Sequence, residues 1–597
     1  MDNQRNLIFA VLLSFLLILG WDAGMRYFYP EASTAGSEEE TAQANANGPV
    51  SSTTNASSAS SGALGSDMAQ PGAPVDLATA LASPERVRID APRVEGTINL
   101  VGARLDDIEL KDHRETIDDD SGPVQLFAPE GTPGQYFAQF GWIGDGVNVP
   151  TQQTVWQADN DVLTAQTPVT LSYDNGEGQT FAIKYSIDDN YMVTTEQSVA
   201  NAGDAPVVVQ PYGLINRNTV NASPSTFNAH SGPIGAFGDA VDYSQDYDDV
   251  VDSGTYTPDG GATHWTGFSD IYWLSALIPQ GEESVTPGFR ALGNDIFRAD
   301  VIYGSQIVAA GATMSNTTLL FAGAKESELL DTYRDDLGVD KFGKAIDWGW
   351  FEWFVKPMVW LLRTFYEFAG NFGVAIIMLT VVIRGALFPI AQKQFASMAG
   401  MKAVQPKMKA IQERYKDDKQ KQQQEIMALY KKEGVNPLAG CLPLLIQIPI
   451  FFALYKALIL AIEMRHKPFA LWIEDLSAPD PAKILNLFGL LPFDPPGFLG
   501  IGVLAILLGV TMWLTFKLNP STMDPMQQQI FNIMPWVLMF VMAPFAAGLL
   551  LYWVTSNVLT LAQQSYLYSK HPQLRAAAEK EKEEKALAKK REENKET

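Results

Sequence analysis

The sequence predicts a mixed membrane protein, with six transmembrane helices and one large β domain held outside the membrane. Three observations carry this. Apolar stretches occupy 7–21, 372–390, 438–462, 498–516 and 530–566, and a bilayer core needs about 20 helical residues per span. The intervening region alternates polar and apolar residues with period two, as half-buried strands do. Charge is also divided. Residues 22–350 hold 47 Asp+Glu against 15 Lys+Arg, a net of -32, whereas the whole 597-residue chain carries -25. The acidic balance argues against general nucleic-acid binding. A single cysteine, Cys441, excludes an intramolecular disulfide framework and a cysteine-cluster zinc site. Five scattered histidines without an HExxH pair exclude a zincin.

Residues 1–24 read as a signal anchor. The segment LIFAVLLSFLLILGW follows Arg5, and bulky Trp21, Met25 and Tyr27 make a poor cleavage site, although a cleaved signal peptide has the same apolar core. Residues 25–83, rich in Ala, Ser, Gly, Asn and Thr, have too little apolar content to fold and read as a flexible tether. Residues 84–340 read as a β-sandwich. In 180–187, Phe181, Ile183, Tyr185 and Ile187 alternate with polar or small residues, Asp188-Asp189-Asn190 turns, and 191–195 runs back. Residues 207–209 and 317–321 are further strands, and 325–333 reads as a helix that closes the domain.

Residues 351–370 mix apolar side chains with Arg363 and Glu367 just before a full span. An interfacial amphipathic helix follows from that pattern. Residues 371–566 hold the remaining spans. The 37-residue stretch 530–566 is too long for one crossing, and Pro544 and Gly548 divide it into two spans, 530–542 and 549–566. Within this region 391–436 reads as a helical hairpin. Met398, Met401, Val404, Met408, Ile411 and Tyr415 fall on one stripe, Asp417-Asp418 breaks the helix, and 419–432 returns. Asn436-Pro437 caps the next span. The hairpin carries 10 Lys+Arg against 5 Asp+Glu, and the charged tail 567–597 carries 9 against 7. Both are therefore cytoplasmic, which puts the two termini inside and the β domain outside.

Arg384 is the most informative residue. It lies about six residues from the cytoplasmic end of its apolar stretch, roughly 9 Å deep at 1.5 Å per residue. No Asp or Glu occurs in the four C-terminal apolar stretches. Snorkelling to headgroups is one reading of such an arginine. The other is a cation in a wet groove, with Thr380, Gln447, Ser556 and Asn557 at compatible depths, although each of these alone also serves as helix–helix glue. The lack of acids disfavours a proton-coupled transporter. Lys456 and Glu463, near the outer end, read as an interfacial pair. The Met398/Met401/Met408 stripe is either hairpin packing or an adaptable apolar face that docks clients or partners. No catalytic residue, cofactor or metal is implied.

The run from Arg384 to Leu458 (RGALFPIAQKQFASMAGMKAVQPKMKAIQERY…NPLAGCLPLLIQIPIFFALYKAL) resembles the core of the YidC-type membrane protein insertases. FALWIEDLSAPDP (469–481), DPMQQQIFNIMP (524–535) and GLLLYWVTSNVLTLAQQ (548–564) resemble the segments that follow, and WTGFSDIYWLSALIP (265–279) resembles part of the periplasmic domain of the Gram-negative bacterial form. The resemblance implies a five-helix core plus N-terminal anchor and a periplasmic β-supersandwich in a multi-pass inner-membrane protein. It implies that Arg384, with Thr380, Gln447, Ser556 and Asn557, lines a hydrophilic groove along which nascent membrane proteins enter the lipid bilayer. It further implies a chaperone role, work alone or beside the Sec translocon, and ribosome contacts through the cytoplasmic loops and tail. Lys456 departs from the uncharged residue more usual there. Two rivals are a secondary transporter, which would show paired ionisable residues and an inverted repeat, and an anchored carbohydrate enzyme, which would need a carboxylate pair.

Overall fold

The structure, a computed structural model, describes residues 75–118, 120–223, 229–281, 283–416, 418–434, 442–488, 491, 493, 495, 500–518 and 525–570. The anchor at 1–24, most of the tether, the Asn436-Pro437 cap and most of the tail lie outside the described residues. The chain forms two compact units: the first comprises the described parts of 75–113, 123–324 and 330–345, the second 114–122, 325–329 and 346 onward.

Among the described residues the first unit is built on two sheets of eleven and nine strands, mostly paired antiparallel, with a short parallel contact between Arg86–Asp90 and Val162–Leu163. In the larger sheet Val207–Asn218 runs between Tyr136–Asp145 and Ile296–Tyr303, with Gly213 opposite both Phe140 and Val301. In the smaller one Met192–Asn201 runs between Gln179–Ile187 and Thr313–Ala324. The period-two reading holds here: Phe181, Ile183, Tyr185 and Ile187 are all buried. Asp188 closes the hairpin, its Oδ1 accepting from the Asn190 and Met192 amides, each at 2.9 Å. WTGFSDIYWLSALIP is the hairpin of Thr263–Ser269 and Trp273–Pro279, both strands of the smaller sheet. Side chains sew the sheets together: Gln197 donates to the Gly141 carbonyl at 2.8 Å and Tyr185 to the Ala103 carbonyl at 3.1 Å.

Two boundaries move. Val75 and its neighbours, assigned to the tether by composition, already belong to this unit. Helix α1 (Leu77–Leu81) is capped by the Asp76 carboxylate, and the Val75 amide bonds the Gly131 carbonyl at 2.9 Å. The short run is too small to show a periodicity, and its cap is its only sequence signal. A further helix, α2 (Tyr247–Ser253), has a full capping box from Asp246 and Asp249. The closing helix α3 spans Ser327–Leu337, a little later than the periodicity placed it.

The acidic domain also buries charge. Arg217 Nη2 lies 2.9 and 2.7 Å from the two carboxylate oxygens of Asp270, and the side chains are 2% and 4% exposed. Tyr136 and Tyr247 flank the guanidinium at 4.8 and 5.9 Å, and burial pushes the Tyr136 hydroxyl up to about 12. Removing one partner of such a pair leaves a desolvated charge. Arg217→Met should therefore cost about 3–5 kcal/mol in thermal unfolding of this unit, and the double change with Asp270→Leu should recover most of it. A double variant as unstable as the single would mean that the aromatic packing around Arg217, not its charge, holds the site.

The second unit is helical. Its helices are α4 (Glu352–Ala369), α5 (Phe372–Ala386), α6 (Phe388–Arg414), α7 (Lys419–Glu433), α8 (Leu442–Leu460), α9 (Val503–Leu518), α10 (Pro525–Met542) and α11 (Ala547–Lys570). The division of 530–566 near Pro544 and Gly548 is seen as the break between α10 and α11. The stretch 372–390 is not one helix. Pro389 has no amide proton to donate, the chain breaks at Leu387, and the pieces meet at 53°. Among the described residues no single helix is long and apolar enough to cross a membrane, but Phe372–Ala386 together with Phe388–Gln394 meets the length and composition of a broken span. In the α6–α7 hairpin the Asp418 carboxylate caps α7 through the Lys421 amide at 3.0 Å. Lys407 pairs with Glu433 at 2.8 Å across the two arms.

Candidate functional site

Arg384 sits in the last turn of α5, two residues before the helix ends. The carbonyl end of a helix dipole favours a cation there, so the break at Leu387 offsets part of the cost of burying the guanidinium. The charge is half-buried. Its partner is a hydroxyl: Nε donates to Ser556 Oγ at 3.0 Å, and Nη2 donates to the same oxygen. The Arg384 carbonyl, left over at the helix end, accepts from Gln563 Nε2 at 3.3 Å. Two contacts thus fasten the end of α5 to α11.

One face of α11 organises the surroundings. Tyr552 and Ser556 are one turn apart, and Gln563 follows two turns further along the same face. The Tyr552 hydroxyl accepts from Gln447 Nε2 of α8 and lies within electrostatic reach of Arg384. Of the five residues placed in the groove from sequence, Arg384 and Ser556 therefore touch, and Gln447 joins them through Tyr552. The other two point elsewhere. Thr380 is buried and donates to the Ile376 carbonyl of its own helix at 2.6 Å. Asn557 is buried against α9, its Nδ2 donating to Thr511 Oγ1 at 3.2 Å. It is the neighbour of Ser556 in sequence but lies about 100° around the helix. Tyr552 and Gln563 were missed by sequence reasoning, although their spacing from Ser556 was the available signal.

Residues 364–574 match the family described as 60Kd inner membrane protein, and 86–361 match the YidC periplasmic domain. A protein named membrane protein insertase YidC from Zymomonas mobilis subsp. mobilis is 45% identical over 95% of this chain and 96% of its own. One of the same name from Beijerinckia indica subsp. indica is 42% identical over 95% and 96%. The chain belongs to the YidC family of membrane protein insertases. Its family is one of insertases, not of enzymes, and the chain is an inner-membrane protein with a periplasmic domain. A solved structure described as an active YidC insertase with the first transmembrane domain resolved aligns at TM-score 0.36 and 19% identity, covering 80% of this chain and 92% of that one.

Other expectations divide. Lys456 and Glu463 do not pair. Lys456 Nζ reaches the Asp347 carbonyl at 2.8 Å and its carboxylate at 3.3 Å, while Arg363 Nη2 reaches Glu463 at 2.6 Å. Helix α8 ends at Leu460 and Ala461 is extended, so Glu463 does not continue the helix that carries Lys456, and each side chain takes a separate partner. In the hairpin, Met408 is buried and its Sδ accepts from the Tyr430 hydroxyl at 3.2 Å. That is packing between the two arms. The side chains of Met398 and Met401 lie outside the described residues. Met427 of α7 is exposed; it falls on the return helix, away from the stripe that drew attention.

Ser556 holds the guanidinium in place without neutralising it. Ser556→Ala should lower insertion of an acidic client about tenfold, the worth of a hydrogen bond to a charged group. It should add little to Arg384→Ala, since the bond is then already lost. Measured as client insertion at matched protein level, a Ser556→Ala effect of the same size in the Arg384→Ala background would place Ser556 outside this pair.

Proposed function

We propose that this chain moves nascent inner-membrane proteins into the bilayer along a hydrophilic groove centred on Arg384, and chaperones them there. The observation that carries the reading is a half-buried guanidinium answered by a hydroxyl, in apolar stretches that contain no Asp or Glu. A structural arginine would be neutralised by a carboxylate, because an isolated intramembrane charge costs about 2.5–3.5 kcal/mol on insertion scales. An arginine left charged beside hydroxyls and amides keeps water near it and offers a cation to acidic residues in transit. Gln447, Tyr552 and Ser556 supply the polar wall. Thr380 and Asn557 remain assigned to the groove by family resemblance, with helix packing as the geometry that competes.

A short helix supports the same reading. Helix α5 alone has 15 residues, about 22 Å at 1.5 Å per residue, against a hydrocarbon core of about 30 Å, and it reaches span length only with Phe388–Gln394, bent away at 53°. A bilayer that thins to meet α5 shortens the path of a crossing polar segment. The driving force is partition of the client's apolar helix into lipid, about 25 cal/mol per Å² buried. No covalent step is needed.

In this reading the chain crosses the membrane six times, counting the N-terminal anchor. The α6–α7 hairpin, the tail and both termini are cytoplasmic, and 464–497 and the β domain are periplasmic. The hairpin, through Met398 and Met401, docks clients or their delivery partners. The ribosome touches the hairpin and tail, and the Sec translocon works beside the core on some clients. Specific nucleic-acid binding has no place in it.

Arg384→Lys should keep most activity, since the cation remains although the bidentate fork is lost. Arg384→Ala should lose about tenfold or more on a client with Asp or Glu in its translocated segment, and far less on the same client neutralised. Paired insertion assays at equal abundance check this, and equal loss on both clients would contradict the electrostatic role. Topology is checked in a Cys441→Ser background. Glu474→Cys should label with an impermeant reagent in intact cells and Gln424→Cys should not. The reverse pattern would overturn the orientation.

A further inference from the structure

We propose that Lys456 is a positioning residue, which sets the spacing of the two helices carrying Arg384 and Gln447 by clasping Asp347 at the head of α4. The proposal rests on the groove reading, and it starts from a lysine that the groove does not use. The Lys456 side chain is 8% exposed. A lysine so buried is rare unless paired, and this one is: its ammonium meets both the carbonyl and the carboxylate of Asp347.

Asp347 lies five residues before α4 begins. At its other end α4 closes on Gly370 in a left-handed conformation (φ 67°), with the Gly370 amide bonding the Tyr366 carbonyl at 2.7 Å. Asn371 then caps α5 through the Val374 amide at 3.1 Å. The Tyr366 and Phe372 rings stack across the turn, 3.9 Å apart at 9°. One end of α4 is thus fixed by Lys456 to α8, and the other is fixed by a rigid turn to α5. Helix α4 is a strap between the helix of Gln447 and the helix of Arg384.

A second pair makes the strap directional. Arg363 of α4 meets Glu463, just beyond α8. The α8 side presents a cation and then an anion, while the α4 side presents an anion and then a cation. Docking α4 the other way round would set Lys456 against Arg363 and Glu463 against Asp347. Like charges facing each other penalise that alternative. The polarity of the two pairs therefore admits one seating of the strap.

The test uses the full-length protein in lipid vesicles in a Cys441→Ser background. Spin labels at Val382→Cys on α5 and Ile448→Cys on α8, both exposed, report the spacing of the two helices. Client insertion is read in parallel at matched protein level. Lys456→Glu should broaden or shift the distance distribution and lower insertion about tenfold, since it leaves buried charges of one sign face to face. Lys456→Arg should keep both readouts near those of the parent, and Lys456→Glu with Asp347→Lys should recover a large part of each. If Lys456→Glu does not accumulate, Lys456→Met takes its place with the same expectation. Lost insertion with unchanged spacing, changed spacing with normal insertion, or no recovery on charge exchange would each overturn the proposal. If the parent protein itself inserts no client, the groove reading fails, while the spacing data still decide the clasp.

Discussion

The helical unit is arranged around the desolvation of one guanidinium. Arg384 occupies an apolar stretch, and no acidic side chain occurs in that stretch or in the three that follow it. The fold stabilises the charge by weaker means. It ends α5 within one turn of the arginine, so that the helix's carbonyl end faces the cation. It brings Ser556 to Nε and Nη2, and it ties off the freed carbonyl with Gln563. Each device is worth less than a carboxylate would be, and together they leave the charge available. On the proposed reading, a cation that meets passing carboxylates is not already neutralised by one of its own.

The same logic places two of the unit's ion pairs. Lys456–Asp347 and Arg363–Glu463 lie toward the other end of α8, where they fasten α4. Charge at the site is left uncompensated, whereas in these two pairs away from it the charges compensate each other. The β domain follows the second pattern. Its excess acids are mostly at the surface, while Arg217–Asp270 and Arg290–Asp300 are paired within the sandwich. Net charge alone would have described the domain as uniformly acidic and missed both.

Elements governed by local periodicity and caps were legible in the sequence. The 180–195 hairpin, the two-armed α6–α7 hairpin and the split of 530–566 follow from alternation, a stripe, an Asp-Asp break and a Pro/Gly pair. The family was legible too, from long runs that no periodicity argument would yield. Contacts set by helix rotation were not. Nothing in the chain says that Thr380 turns its hydroxyl to Ile376, or that Asn557 faces α9 while Ser556 faces Arg384. Lys456 and Glu463 invited pairing by proximity in sequence, but their partners are 109 and 100 residues away because α4 packs back on α8. The break at Leu387 was hidden because the apolar composition of 372–390 continues through Pro389.

On the proposed reading, the Arg384 site is wet while its surroundings at the same depth are not. Single-cysteine labelling with a membrane-permeant maleimide, which reacts with thiolate in water, tests this most directly. In the Cys441→Ser background Gln447→Cys, beside Tyr552, should react rapidly in native membranes. Ile448→Cys, one residue along α8 and turned away by about 100°, should react slowly. Equally slow reaction at both positions would contradict a hydrated groove and leave Arg384 as an arginine packed in a dry interior.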